Sequence, residues 1–169
     1  MKLIFVTGLA GMDRKTIIDL AIQRSGRNQK FVISDFAELG DISSELKEIT
    51  SSEDTRGLLS KFYSEVEKIV VSGIREHREN LIVSGFLTLD TPHGYMVSIP
   101  GDFFETFKPD NIVILEKKTD DKKTIEQQNI NRHYAARYSA ECNSFLNIIK
   151  FDENRLMGAV EKLSEVIKH

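Results

Sequence analysis

The chain has 169 residues, 40% hydrophobic and 29% charged, with a formal net charge of −3. This fits one soluble domain over residues 1–169, and gives no electrostatic reason to expect nucleic acid as a partner. Cys142 is the only cysteine, which excludes an intrachain disulfide and a cysteine-rich zinc site; the longest N-terminal apolar run, residues 3–6, is too short for a signal peptide or membrane span, so a cytoplasmic location is expected.

Residues 2–7 read as a short buried strand running into a glycine-containing turn. Apolar residues at Ile17, Ile18, Leu20, Ala21 and Ile22 then give a helical pattern ending near Ser25-Gly26. A second strand is expected over residues 30–34, and a weak helix over 37–49. Ser51-Ser52-Glu53-Asp54 offers several capping acceptors. The helix after it, expected from Thr55 to about His77, keeps one apolar stripe through Leu58, Leu59, Phe62, Val66, Ile69, Val70 and Ile74. Residues 80–83 form a third, continuously apolar strand, as expected where both sheet faces are covered. Residues 84–100 read as an irregular stretch, a length that points to function. A short helix over 101–107 and a fourth strand over 111–116 follow. Residues 119–141 read as a polar helix, 145–151 as a fifth strand and 154–168 as an amphipathic helix. Its stripe of Leu156, Val160, Leu163 and Ile167 suits either the core or a contact between subunits of a homo-oligomer. Strands alternating with helices predict an α/β three-layer fold, a five-stranded parallel sheet flanked by helices. Ligands of such sheets sit at the carboxyl ends of the strands, which gathers the turn at Gly8, the 84–100 stretch and the end of the fourth strand on one edge.

The first strand opens into Gly8-Leu9-Ala10-Gly11-Met12-Asp13-Arg14-Lys15-Thr16 and then a helix, the context of a phosphate-binding loop. The pattern is G-x-x-x-x-G-K-[ST], with the lysine on the β- and γ-phosphates and the hydroxyl on Mg²⁺. Counted without a gap, Asp13 stands in the glycine place, Arg14 in the lysine place and Lys15 in the hydroxyl place. With one inserted residue, Lys15-Thr16 becomes the Lys-Thr pair and Arg14 replaces the glycine. Neither register satisfies the pattern. A carboxylate about 4 Å from a phosphate charge is repelled by roughly 4 kcal/mol at an effective dielectric near 20. Asp13 is therefore expected either to oppose nucleotide binding or to turn outward and pair with Arg14 or Lys15.

Further segments resemble the archaeal type of adenylate kinase across nearly the whole chain. Residues 2–11 resemble that family's opening strand and loop. Thr91-Pro92-His93-Gly94-Tyr95, with Pro100 five residues after the tyrosine, resembles its T-P-x-G-Y…P segment. Lys108-Pro109-Asp110-Asn111-Ile112 resembles N-P-D-x-I, and Asn131-Arg132 with Ala135, Ala136 and Tyr138 resembles N-R-x-x-A. The resemblance implies a P-loop nucleotide-binding fold, with ATP and AMP as partners and Mg²⁺ as cofactor. It implies that Gly8, Gly11, Asp13 and Thr16 form the nucleotide loop, that Lys15 or Arg14 bridges the donor phosphates, and that Thr16 approaches Mg²⁺. Arg56 falls on the acceptor phosphate, although a solvated charge is an even alternative. Arg132 falls on the moving charge or in a helix-surface salt bridge. Pro92, Gly94 and Tyr95 shape the monophosphate pocket or form a rigid turn capped by an aromatic.

The chain also departs from the family. Ser84-Gly85-Phe86 stands where the family has Asp-Thr-His, so a carboxylate that could hold Mg²⁺ through water is absent. The segment before Asn131 is short and carries Lys117, Lys118, Lys122 and Lys123 in place of lid arginines. Lysine cannot reproduce the paired contacts of a guanidinium. Two expectations follow: a slow or impaired kinase of adenine nucleotides, or a non-catalytic descendant serving as a nucleotide-sensing or interaction module. The histidines, His77, His93, His133 and His169, have no metal-ligand spacing. Asp35 is expected to cap a helix or touch a ribose or exocyclic amine, and Asp120-Asp121 to start a helix.

Overall fold

The computed structural model describes residues 1–26, 30–76 and 80–169; His77 and the expected helix end beside it lie outside these residues. Five parallel strands form one sheet: β1 (Leu3–Thr7), β2 (Phe31–Asp35), β3 (Asn80–Gly85), β6 (Asn111–Lys117) and β7 (Phe145–Phe151), in the order β2-β3-β1-β6-β7. Thr7 pairs with Gly85 on one side and Ile114 on the other. The loop after β1 therefore starts beside the ends of β3 and β6.

Both faces of the sheet are covered, which explains the continuous apolar runs. Phe5, Leu81, Val83, Ile112 and Ile114 face one layer. It contains α3 (Ser52–Glu76), α4 (Gly101–Phe107) and α5 (Lys122–Cys142). Ile4, Val6, Ile82, Val113 and Leu115 alternate to the other face, under α1 (Arg14–Ser25) and α6 (Met157–Lys168). Val160, Leu163 and Ile167 of the α6 stripe are spent there, inside the chain's own core. The 25-residue α3 keeps the register read from its sequence, with Leu59, Phe62, Val66 and Val70 buried. Ser51 caps it, its hydroxyl accepting from the Asp54 amide at 3.0 Å.

Three stretches differ from the sequence reading. Residues 84–100 are not irregular: β4 (Thr88–Thr91) and β5 (Gly94–Val97) pair as an antiparallel hairpin. The Thr91 hydroxyl closes its turn, donating to the Gly94 carbonyl at 2.6 Å and accepting from the His93 amide at 3.2 Å. The weak helix over 37–49 is a 3₁₀ turn (Phe36–Leu39) followed by α2 (Ile42–Glu48). The last helix begins at Met157 because Asp152 first turns the chain, accepting from the Asn154 amide and pairing with Arg155. Gly85, at the end of β3, is required by packing, since a Cβ there would lie 2.2 Å from the Phe36 ring. No helix among the described residues is long and apolar enough to cross a membrane.

Candidate nucleotide site

The turn after β1 is built as a phosphate loop is built. Gly8 is buried; a Cβ on it would sit 2.8 Å from Met12 Sδ and 3.2 Å from the Leu115 carbonyl oxygen, so the backbone runs close beside β6. Gly11 has φ of 84°, a left-handed conformation that glycine adopts without strain. Met12 N donates to Leu9 O at 3.2 Å, and α1 starts at Arg14.

Its polar groups are committed to one another. Asp13 turns outward and pairs with neither Arg14 nor Lys15; its carboxylate caps α1, accepting from Thr16 N at 3.1 Å and from Thr16 Oγ1 at 2.6 Å. An amide and a hydroxyl of the helix start are closer partners than a flexible cation, and both hold the carboxyl below its ordinary range. Arg14 turns inward and is only 5% exposed. Its Nε donates to Ser84 Oγ at 3.1 Å and its Nη1 to Leu9 O at 3.0 Å, while the guanidinium lies over the Phe86 ring, 5.9 Å from its centroid. Burial pulls its pKa down and the Asp35 carboxylate opposes that pull. Asp35 itself caps the 3₁₀ turn, accepting from Ala37 N at 3.0 Å. Lys15 and Thr16 are exposed on the first turn of α1.

A cavity of ≈ 400 Å³ lies between this loop and α2, lined among others by Gly11, Asp13, Arg14, Asp41 and Phe86. That volume is within the range of small-ligand sites. Asp41 repeats the Asp13 device at the start of α2, accepting from Ser44 N at 3.1 Å and Ser44 Oγ at 2.6 Å, and Asp121 does so for α5 with Thr124. Carboxylates thus occupy the starts of three helices. The sequence reading missed Asp41, although the D-x-x-[ST] spacing is visible in it.

A second cavity of ≈ 350 Å³ opens where β6 ends, lined among others by Glu116, Lys117, Lys118, Asp120, Arg132 and Lys150. Arg132 is in a paired salt bridge: its Nε and Nη2 reach the two Glu116 oxygens at 2.8 and 2.5 Å, and Glu116 is buried. That pairing holds the Arg132 pKa above its usual value. Glu116 was not singled out from the sequence; its one signal is a carboxylate ending an apolar strand.

The residues expected on the acceptor side lie outside the loop cavity. Pro92 and Gly94 are exposed in the hairpin turn, and Tyr95 is half-buried, its hydroxyl donating to Glu126 at 2.9 Å. Loss of solvent contact and the Glu126 carboxylate push the Tyr95 pKa up to about 12. His93 Nε2 lies 3.0 Å from the Thr50 carbonyl oxygen, which brings the hairpin tip to the start of α3. Arg56 is exposed on that start, with no carboxylate within 4.0 Å among the described residues. The structure therefore brings Gly8, Gly11, Asp13 and Arg14 together, and leaves Arg56, Pro92, Gly94 and Tyr95 on a separate rim. Another cavity, of ≈ 870 Å³ and lined by Lys2, Asp110 and Phe145 among others, is at the amino ends of the strands, away from where α/β sheets hold ligands.

The residues present do not fit Mg²⁺ where the resemblance places it. Ser84, in the carboxylate place, is neutral and already accepts from a buried guanidinium. The Thr16 hydroxyl is held by Asp13. Among the described residues no group of three or more His, Cys, Asp or Glu side chains could hold a metal ion.

A parallel sheet with a glycine loop between β1 and α1 defines a P-loop-type α/β protein. Adenylate kinases from Pyrococcus horikoshii and Pyrococcus furiosus are 27% and 28% identical to the chain, each over 98% of it and 93% of their own length. The adenylate kinase of Thermoplasma volcanium is 23% identical over 96% of the chain and 98% of its own length. Along nearly its whole length the chain is similar to archaeal adenylate kinases, at 23–28% identity. No family model matches it. A solved gluconokinase from Sinorhizobium meliloti 1021 superposes over 99% of the chain and 94% of its own at a TM-score of 0.41 and 9% identity, too loose a likeness to add to the fold described above.

Proposed function

We propose that residues 1–169 act as one nucleotide-kinase-like unit that binds ATP and AMP, or another nucleoside monophosphate, with phosphoryl transfer impaired on the donor side. The observation that carries this reading is Arg14. In the lysine place of the loop stands a guanidinium that is buried and bonded to Ser84 and Leu9. Phosphoryl transfer depends on positioning and on cations aimed at the moving charge. A cation already bonded to the protein must leave those bonds before it can follow that charge. Arg132, neutralised by Glu116, has the same handicap.

Binding needs less. Backbone N–H groups around Gly11, together with Arg14 and Lys15, would hold the donor phosphates. Arg56, exposed beside the hairpin tip, would meet the acceptor phosphate. The commitment of Asp13, Arg14 and Arg132 to protein partners also supports a second reading, a non-catalytic module that senses nucleotide. Calorimetric titration with ATP and AMP, alongside a coupled kinase assay, separates the two. Binding with slow turnover is the expected result, binding without turnover selects the sensing module, and no heat at millimolar nucleotide overturns both.

A further inference from the structure

We infer that the loop takes its nucleotide as the metal-free polyphosphate, with fixed protein cations in place of Mg²⁺. This rests on the nucleotide-binding reading above.

Neither of two positions that would hold a divalent ion offers the group it needs. In the gapless register, which starts α1 at the lysine place, Lys15 stands in the hydroxyl place, and Ser84, at the end of β3, stands where the family resemblance puts a carboxylate. Ser84 Oγ is bonded to Arg14 Nε at 3.1 Å, so a divalent ion brought there would meet a permanently charged guanidinium. Of the nearby carboxylates, Asp13 is held by Thr16, Asp41 by Ser44, Asp35 caps Ala37 and Glu116 takes both ends of Arg132. Asp120 shares its cavity with Lys117, Lys118 and Lys150.

Two cations, Arg14 and Lys15, stand where the ion would act. Lys15 is exposed on the first turn of α1, and among the described residues its ammonium has no carboxylate within 4.0 Å. Arg14 lies one residue before it, beneath the loop. The loop at Gly8 runs close beside the β6 backbone at Leu115, two residues before Lys117, whose ammonium pairs with Glu153 at 3.3 Å. Metal-free ATP carries more negative charge than its Mg²⁺ complex, so a site with fixed cations and no oxygen cage for the ion favours the free form.

The test is calorimetric titration of the whole protein with ATP, once in EDTA and once in excess Mg²⁺. The expected affinity in EDTA is equal to that in Mg²⁺, within about threefold, or tighter. Tightening by Mg²⁺ beyond that overturns the inference and leaves nucleotide binding standing. Absence of binding in both buffers overturns the nucleotide reading and this inference with it. Lys15→Thr, which restores the hydroxyl at an exposed position, is expected to weaken binding in EDTA about tenfold with an unchanged melting temperature. Unchanged affinity in that variant removes Lys15 from the role.

Discussion

The two sides of the candidate site treat their cations in opposite ways. On the loop side, Arg14 is buried, bonded to Ser84 and Leu9 and placed over the Phe86 ring. On the hairpin side, Arg56 is exposed at the start of α3. A cation at a helix start is opposed by the helix dipole, so Arg56 gains nothing locally from its position. Arg14, by contrast, is part of what holds β3 and the loop together. One cation can be read as structure and the other cannot, which places the departures from the phosphate-loop pattern on the loop side.

Gly85→Val gives the largest expected effect and breaks both sides at once. Its side chain would drive into the Phe36 ring, costing about 3 kcal/mol in a urea titration, because overpacked cores cannot relax fully. Next comes the paired comparison. Arg14→Ala leaves the Ser84 and Leu9 oxygens without their donor and is expected to cost about 2 kcal/mol of stability and weaken ATP binding. Arg56→Ala is expected to change stability by less than about 0.5 kcal/mol and to weaken AMP binding alone. Equal stability losses in the two variants would erase the contrast.

Asp13→Gly sharpens the comparison further. The cap is lost at a cost of only a few tenths of a kcal/mol when glycine replaces it. ATP affinity, read by calorimetry, should rise by about threefold to tenfold, less than a pocket-facing carboxylate would give, because Asp13 faces Thr16 and solvent. No rise would show that Asp13 is not what opposes the phosphates.

Acid sensitivity is a smaller effect shared by both sides. Asp13, Asp41 and Asp121 are each held below the ordinary value of 3.8, first by the side-chain hydroxyl they bond and then by the backbone amide. Carboxyls depressed in the folded state contribute stability above the unfolded value, and that contribution is lost as pH falls through the lower folded values. Chemical denaturation should therefore show stability falling below about pH 4. The combined variant Asp13→Asn, Asp41→Asn, Asp121→Asn keeps the caps without their titration and should flatten that fall. Smallest of all, Tyr95→Phe removes one half-exposed bond to Glu126 and should cost no more than about 0.5 kcal/mol in the same assay.

Several segments that carried the family resemblance prove to serve the fold. Within Asn131-Arg132…Tyr138, the side chains of Asn131, Ala135 and Tyr138 are buried, and the Tyr138 hydroxyl donates to the Ile99 carbonyl at 3.0 Å. Asp110 accepts from the Leu3 amide at 2.7 Å, tying the entry of β6 to β1. Thr91 closes the hairpin turn. Their spacing was legible because turns and strand entries demand particular residues at particular places. Their partners were not, since Leu3 and Ile99 lie 107 and 39 positions from the residues they bond.

The sequence by itself determined the five parallel strands, the long helix after Ser51 and the altered loop between β1 and α1. Each is written in local terms, as apolar runs of strand length, a helical stripe or turn residues at fixed offsets. Only the tertiary structure decided that Asp13 caps its own helix, that Arg14 points inward to Ser84, that Glu116 claims Arg132 and that residues 84–100 form a hairpin. The physical reason is that a charged side chain's role depends on which partner comes within about 3 Å of it. Ser84 is 70 residues from Arg14 along the chain, and only the pairing of β3 beside β1 makes them neighbours.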